Sequence, residues 1–220
     1  MYLKSYNNAQ EAFEDLYDYI IKCGEIRSNT LTIHDCMIHI TNPLNRSIDT
    51  SWRKWNNDYA EYEWQWYLSG NRSGIEISKK AKIWEQMLDE NGNVNSNYGY
   101  QWKRSNQLDK VIDLLKKDQL TRRASISLYD GKEIDQYEKD TICTFAINFF
   151  ITQNKLNMQV MMRSNDLVYG FCNDQYCFSK LQEMIAIELG KEVGCYTHYV
   201  CNMHIYEKHW NMKNKKPDTD

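Results

Sequence analysis

LNMQVMMRSNDLVYGFCNDQYC, residues 156–177, carries the change of pattern on which the fold reading turns. Its first part, Leu156–Met162, is a short apolar run. It follows the turn signal Gln153-Asn154-Lys155 and pairs with the run Cys143–Thr152 as an antiparallel hairpin. Its last part opens residues 174–189, where Phe178, Leu181, Met184, Ile185 and Ile187 mark a helix. Asp166, after Arg163-Ser164-Asn165, has the composition of a turn former.

Outward from this stretch, 124–129 and 197–206 read as further strands. On the latter, strict alternation would place His198, Val200, Asn202, His204 and Tyr206 on one face. Toward the N-terminus, residues 9–21 are an amphipathic helix stopped at Cys23-Gly24. A strand over 31–40 follows. Then come helices over 58–68 and 79–88, and one marked by Leu108, Val111, Ile112 and Leu115. The last residues, 210–220, read as a frayed tail. Helices precede a cluster of strands, so the class is α+β, a large, mainly antiparallel or mixed sheet with flanking helices. With 220 residues the expectation is a single domain over 1–220.

The charge balance removes several function classes. Net charge is −3, so no overall field draws the chain to nucleic acid or acidic membranes, and phosphate binding must come from a few placed arginines. No apolar run reaches the length of a membrane span, and MYLKSYNNAQEAFED is too polar for a signal peptide. Seven cysteines without an export signal read as reduced thiols of a cytoplasmic protein. None forms a CxxC pair, so no metal is expected.

Taken singly, the chemically able residues have ordinary explanations. Cys143 at a strand start would usually be packing. Arg122-Arg123 would be a solvated pair, Glu63 a water-facing residue, and His204 a satisfied core histidine. Their order along the chain changes this. Glu63 in EYEWQWYLSG, the NSNYG block, the double arginine, Cys143 in DTICTF, RSND-x-V-x-G-F and the closing H-x-Y-x-x-H together resemble the thymidylate synthase superfamily from about Tyr59 to His209. Within it they resemble most closely the bacteriophage deoxycytidylate hydroxymethylases.

The resemblance implies a mechanism. Cys143 would add as thiolate to carbon 6 of a pyrimidine nucleotide monophosphate, turning carbon 5 into a nucleophile toward 5,10-methylenetetrahydrofolate, a co-substrate. Arg163 would contact phosphate and cysteine, lowering the thiol pKa. Ser164 would bind phosphate too. Arg122 and Arg123 would reach the partner's phosphate across a homodimer interface, with Arg27 as a further phosphate ligand. Glu63 would move protons through water, and His204 and Tyr206 would hold the sugar hydroxyl. Tyr98 would stand in the active site, and Trp84, Asp166 and Gly170 would line the folate site. Membrane and nucleic acid are not expected partners. A phage-encoded chain would work in the host cytoplasm.

Two departures bear on substrate and product. Asp174 stands where synthases carry asparagine. A carboxyl group can accept from the exocyclic amine of cytosine and, when protonated, donate to its ring nitrogen. The ordinary alternative is a helix N-terminal aspartate. Asp140, three residues before Cys143, replaces a usual apolar residue, and KKPDTD offers no apolar end to seal the site. Both favour water at the exocyclic methylene and hence a hydroxymethyl product. The expectation is conversion of dCMP to 5-hydroxymethyl-dCMP. The alternatives are a dUMP or CMP hydroxymethylase, a divergent thymidylate synthase, or a non-catalytic nucleotide- or RNA-binding descendant of the fold.

Overall fold

Asn8 starts the first helix by accepting the Glu11 N–H at 2.9 Å, and Glu11 returns a bond to the Asn7 N–H at 3.0 Å, a variant of the capping box. This is helix α1 (Ala9–Cys23), whose buried stripe Ala9, Ala12, Phe13, Leu16 and Ile20 lies on the sheet. The computed structural model describes residues 1–131 and 139–214. Around α1 run strands β1 (Tyr2–Tyr6), β2 (Glu25–Arg27) and β3 (Thr30–Ile40). Helices α2 (Asn57–Ser69), α3 (Ile75–Ser78), α4 (Ile83–Met87), α5 (Tyr98–Lys103) and α6 (Gln107–Lys117) follow. Strands β4 (Ser125–Ser127), β5 (Thr144–Thr152), β6 (Lys155–Met162) and β7 (Asn165–Asp166), helix α7 (Cys172–Glu188) and strand β8 (Glu192–Tyr206) complete the order.

The strands form one mixed sheet, ordered β1-β3-β8-β6-β5-β4, with β2 on β3 and β7 on β8. The β1–β3, β6–β8 and β7–β8 pairs are parallel and the others antiparallel. The expected α+β class with a mixed sheet is therefore the observed one. The β5–β6 hairpin turns at Gln153 and Asn154, both with positive φ (51° and 61°), as a two-residue type I′ turn requires. Among the described residues no helix is long and apolar enough to cross a membrane.

Four expectations need correction. First, of 79–88 only Ile83–Met87 (α4) is helical, and a separate turn, α3, precedes it at Ile75–Ser78, because the segment folds back and its loop is tied by Gly74 N–H to Gly92 O at 2.9 Å. Second, residues 2–6, read only as part of a polar N-terminal stretch, form the edge strand β1, with only Tyr2 of its five residues buried. Third, residues 210–214 are not frayed. The Met212 N–H donates to the Tyr17 hydroxyl at 3.0 Å, and Lys213 pairs with Asp18 at 2.6 Å. Residues 215–220 lie outside the described part. Fourth, the alternation on β8 changes phase. Tyr196, His198 and Val200 are buried, then Met203 and Ile205, leaving His204 and Tyr206 half-buried. The neighbouring β3 carries Asp35 at a left-handed φ of 52° at this level, so both strands are irregular there.

Helix α5 is the element the sequence hid. Asn97 caps it, its side chain accepting the Tyr100 N–H at 2.8 Å and donating to the carbonyls of Trp66 and Asn71. The close approach to α2 depends on Gly99, where a Cβ would stand 1.5 Å from the Tyr67 carbonyl oxygen. Gly99→Ala is therefore expected to cost more than about 2 kcal/mol, because backbone must separate to admit the methyl group. Urea denaturation checks it: an unchanged midpoint would show that the two helices part without cost.

Candidate active site

Cys143 immediately precedes β5. Its half-exposed thiol donates weakly to the Thr141 carbonyl at 3.8 Å. Arg163 follows β6, and its N–H bonds the Cys143 carbonyl at 2.9 Å, so the hairpin itself brings these two residues together. The guanidinium is fastened by Nε to the Ile142 carbonyl (3.0 Å) and Nη2 to the Thr141 carbonyl (2.8 Å), and Nη2 stands 3.5 Å from the Cys143 Sγ. Burial pushes the thiol up to about 11. Arg163 pulls it down, while Asp174 and Asp140, where ionised, push it further up. In the resting protein the sulfur is thus a thiol with one cation in reach.

Asp140 is buried, and both its oxygens are taken by Ser96, from its N–H at 2.7 Å and its hydroxyl at 2.7 and 2.8 Å. It anchors the Asn95–Ser96 loop beside the cysteine. A polar cleft of 450 Å³, lined by Asp89, Asn93, Asn95, Lys139 and Asp140 among others, opens beside that anchor.

Glu63 is buried on α2. Oε1 accepts the Tyr67 hydroxyl at 2.8 Å, while Oε2 is buried with no hydrogen-bond partner. Burial raises its carboxyl, with the Tyr67 and Tyr59 hydroxyls pulling it back. A buried, half-satisfied carboxyl is costly to keep, and it is the form suited to passing a proton. The Tyr59 hydroxyl accepts from Trp84 Nε1 at 2.8 Å. That places Trp84 one tyrosine away from Glu63, in a small apolar cluster with Ile77 and Val94.

Asp174 sits in the first turn of α7, as a helix-start aspartate would, yet its side chain serves the site rather than the helix end. Oδ2 accepts from Asn165 Nδ2 at 2.6 Å. Burial, then the neighbouring Glu63 charge, pushes it up to about 8. At neutral pH it is a carboxylic acid able to donate a hydrogen bond. Gly170 permits this pair, since a Cβ there would stand 2.6 Å from Asn165 Nδ2 and 3.4 Å from Asp174 Oδ2.

Asp166 caps the π-helical turn Leu167–Phe171, accepting the N–H groups of Val168 (3.0 Å) and Tyr169 (3.1 Å). It pairs in register with His204 across β7–β8. Burial holds the His204 imidazole below its usual range against the pull of Asp166. Tyr206 stands edge-on to His204 at 5.2 Å. Tyr98 is buried against Phe178, with ring centres 5.4 Å apart.

Cys143, Arg163, Glu63, Tyr98, Asp140, Asp174, Asp166 and His204 are thus held by interlocking contacts. Ser164 is half-buried between Arg163 and Asn165. Arg122 and Arg123 stand exposed ahead of β4. Arg27 is exposed, paired with Glu25 at 3.4 Å, on the hairpin whose Thr30 lies opposite Tyr206. Sequence reasoning missed Asn165, His198, Tyr196 and Ser96. Asn165 was visible inside RSND, but nothing local marked it as more than a turn residue.

The comparisons agree with this geometry. The thymidylate synthase family profile matches residues 11–217. A thymidylate synthase of Bacillus licheniformis is 28% identical over 191 residues, covering 83% of this chain and 68% of that protein. A thymidylate synthase of Bacillus phage phi3T is 27% identical over 192 residues, with the same coverage of 83% and 68%. The solved structure of thermostable thymidylate synthase A from Bacillus subtilis shares the fold at a TM-score of 0.78 and 22% identity, covering 93% of this chain and 82% of that one. This chain belongs to the thymidylate synthase family, folate-dependent one-carbon transferases of pyrimidine nucleotides.

Proposed function

We propose that this chain is a deoxycytidylate 5-hydroxymethyltransferase. The observation that carries the reading is Asp174, a buried carboxyl held neutral near pH 7 close to the Cys143 sulfur. A neutral acid offers a donor and an acceptor side by side, matching the ring nitrogen and exocyclic amine of cytosine. Cys143 forms the bond to carbon 6 and Arg163 steadies the thiolate. Glu63, with its unpaired oxygen, exchanges protons with the ring through water. Ser164, Arg163 and the arginines 122 and 123 hold the phosphate, while His204 and Tyr206 hold the sugar. Methylenetetrahydrofolate, when bound, supplies the one-carbon unit, and Trp84, Asp166, Gly170 and Asp140 would wall its site.

The product reading rests on the polar flank of the site. Water admitted through the cleft beside Asp140, three residues before Cys143, would supply the hydroxyl, and tetrahydrofolate is then the expected co-product. A methyl product would instead be accompanied by dihydrofolate.

Tritium release from carbon-5-tritiated dCMP and dUMP, each with methylenetetrahydrofolate, tests the substrate. Release from dCMP in clear preference to dUMP is expected. Preference for dUMP would make the chain a uracil enzyme like its named relatives, and release from neither would favour CMP or a binding role.

The exposure of Arg122 and Arg123 supports their acting in trans in a homodimer. Mixing Cys143→Ala protein with an Arg122→Ala/Arg123→Ala double variant is then expected to restore about a quarter of wild-type activity, since statistical exchange leaves half the dimers mixed, with one intact site each. No recovery after confirmed subunit exchange would place both arginines on their own chain's site.

A further inference from the structure

We propose that Tyr196, His198 and Asn165 form a buried one-way hydrogen-bond relay that fixes which oxygen of Asp174 carries its hydrogen, and thereby makes the site select cytosine over uracil. The inference rests on Asp174 reading the base, as proposed above.

His198 is fully buried on β8, its ring held edge-on by Phe171 at 5.3 Å. Nδ1 is bonded to the Tyr196 hydroxyl, and Nε2 lies 3.1 Å from Asn165 Oδ1. Asn165 Nδ2 lies 2.6 Å from Asp174 Oδ2. An amide oxygen only accepts and an amide nitrogen only donates. With the amide placed this way, His198 carries its hydrogen on Nε2, and its bare Nδ1 accepts from the Tyr196 O–H. All three bonds then point the same way, from Tyr196 to Asp174.

The reverse direction is disfavoured by its far end. Turning the amide over would make His198 donate from Nδ1 to Tyr196, whose own O–H would then need an acceptor. Tyr196 is fully buried, and among the described residues its hydroxyl has no other hydrogen-bond partner. A buried unpaired hydroxyl is the costlier state, so Tyr196 sets the direction. His198 does not disturb it by ionising, because burial pushes its imidazole down to about 3.

The consequence falls on Asp174. Oδ2 receives the Asn165 N–H, so the hydrogen of the neutral acid resides on Oδ1. The two oxygens cease to be interchangeable, one donating and the other accepting. With Oδ1 toward the ring nitrogen, that polarity fits cytosine, which accepts at the ring nitrogen and donates from its amine. Uracil presents the opposite pair and would need the hydrogen moved to Oδ2, against Asn165. Without the relay a neutral carboxyl could present either polarity. Tyr196, His198 and Asn165 are therefore positioning residues for the catalytic Asp174.

The test uses full-length protein and the ratio of kcat/KM for dCMP to that for dUMP, with variants Tyr196→Phe, His198→Leu and His198→Gln, all checked for a cooperative melt. Tyr196→Phe and His198→Leu are expected to lower the ratio about tenfold or more, the scale of one mismatched buried polar pair. His198→Gln can accept from Tyr196 and donate to Asn165, and should keep the ratio within about threefold of wild type. A purely packing role would not separate glutamine from leucine in this way. Nitrogen-15 histidine spectra of the wild-type protein should show a neutral His198 protonated on Nε2. A wild type that prefers dCMP, with variants that all keep its ratio, would overturn the relay and leave the substrate reading standing. A His198 protonated on Nδ1 would overturn it as well. A wild type that prefers dUMP would overturn both.

Discussion

Cys143→Ala is expected to abolish tritium release from dCMP, by at least about four orders of magnitude, while leaving nucleotide binding within a few-fold of wild type. The first half of this expectation follows from chemistry. The pyrimidine ring becomes nucleophilic at carbon 5 only when something adds at carbon 6, and Cys143 is the thiol that Arg163 attends at 3.5 Å. The second half follows from anchoring. The Arg163 guanidinium is fixed by the Ile142 and Thr141 carbonyls, so losing the sulfur does not release it. Equilibrium binding of dCMP by calorimetry separates the two. Activity that survives the substitution would mean that the sulfur is not the nucleophile. Binding lost along with activity would mean that the thiol organises the phosphate site.

The same pair shows what the sequence could and could not reveal. Cys143 and Arg163 were legible as a pair through the family resemblance, and the hairpin that joins their strands, with its two-residue turn fixing register, is the physical reason that they meet. The strands of the sheet centre and the helices α1, α2 and α6 were legible because each buries a regular stripe, and α7 because its apolar run is long, although it is buried nearly all round. Edge strand β1 and the six-residue α5 offered too few buried positions for a period to show. The helix expected over 79–88 shrank to α4 because a fold-back held by backbone bonds leaves no mark on hydrophobicity. The phase change on β8 depends on a left-handed Asp35 in the neighbouring strand, a tertiary matter that no strand reports about itself.

The site divides in the same way. Residues that touch the reacting groups belong to recognisable runs. Residues that act on them do so from 9 to 33 positions away, as Asn165 does on Asp174 and His198 does on Asn165. Ser96 reaches Asp140 across 44 positions. Hydrogen-bond partners at such separations are a property of the assembled sheet. They decide protonation, and protonation decides which base is read.

Asp174→Asn, made together with Asn165→Ala so that the Asn165 N–H no longer fixes which way the new amide faces, is expected to invert the substrate preference, lowering kcat/KM for dCMP by about two orders of magnitude or more and raising that for dUMP. An amide can donate to a uracil carbonyl and accept from its ring N–H, while the neutral acid favoured by burial matches cytosine. The pH dependence follows with a definite sign. Since burial holds Asp174 up to about 8, the wild-type protein loses its donor as pH rises through that value, and dCMP turnover should fall there. Below it the fraction of Cys143 thiolate grows with pH, because that thiol lies near 11, so the rate should first rise and then decline. The asparagine variant has no proton to lose and should keep rising with dUMP. Stability gives an independent reading of the same group. An aspartate ionises near 3.9 in an unfolded chain, so between about pH 4 and pH 8 the unfolded state sheds a proton that the fold retains. Folding therefore weakens across that window and levels off above it. Asp174→Asn alone removes this penalty, so its Tm relative to wild type should be higher at pH 8 than at pH 5. An equal difference at both pH values, or a dCMP rate that does not decline above pH 8, would show that Asp174 is ionised throughout and cannot be the group that tells cytosine from uracil.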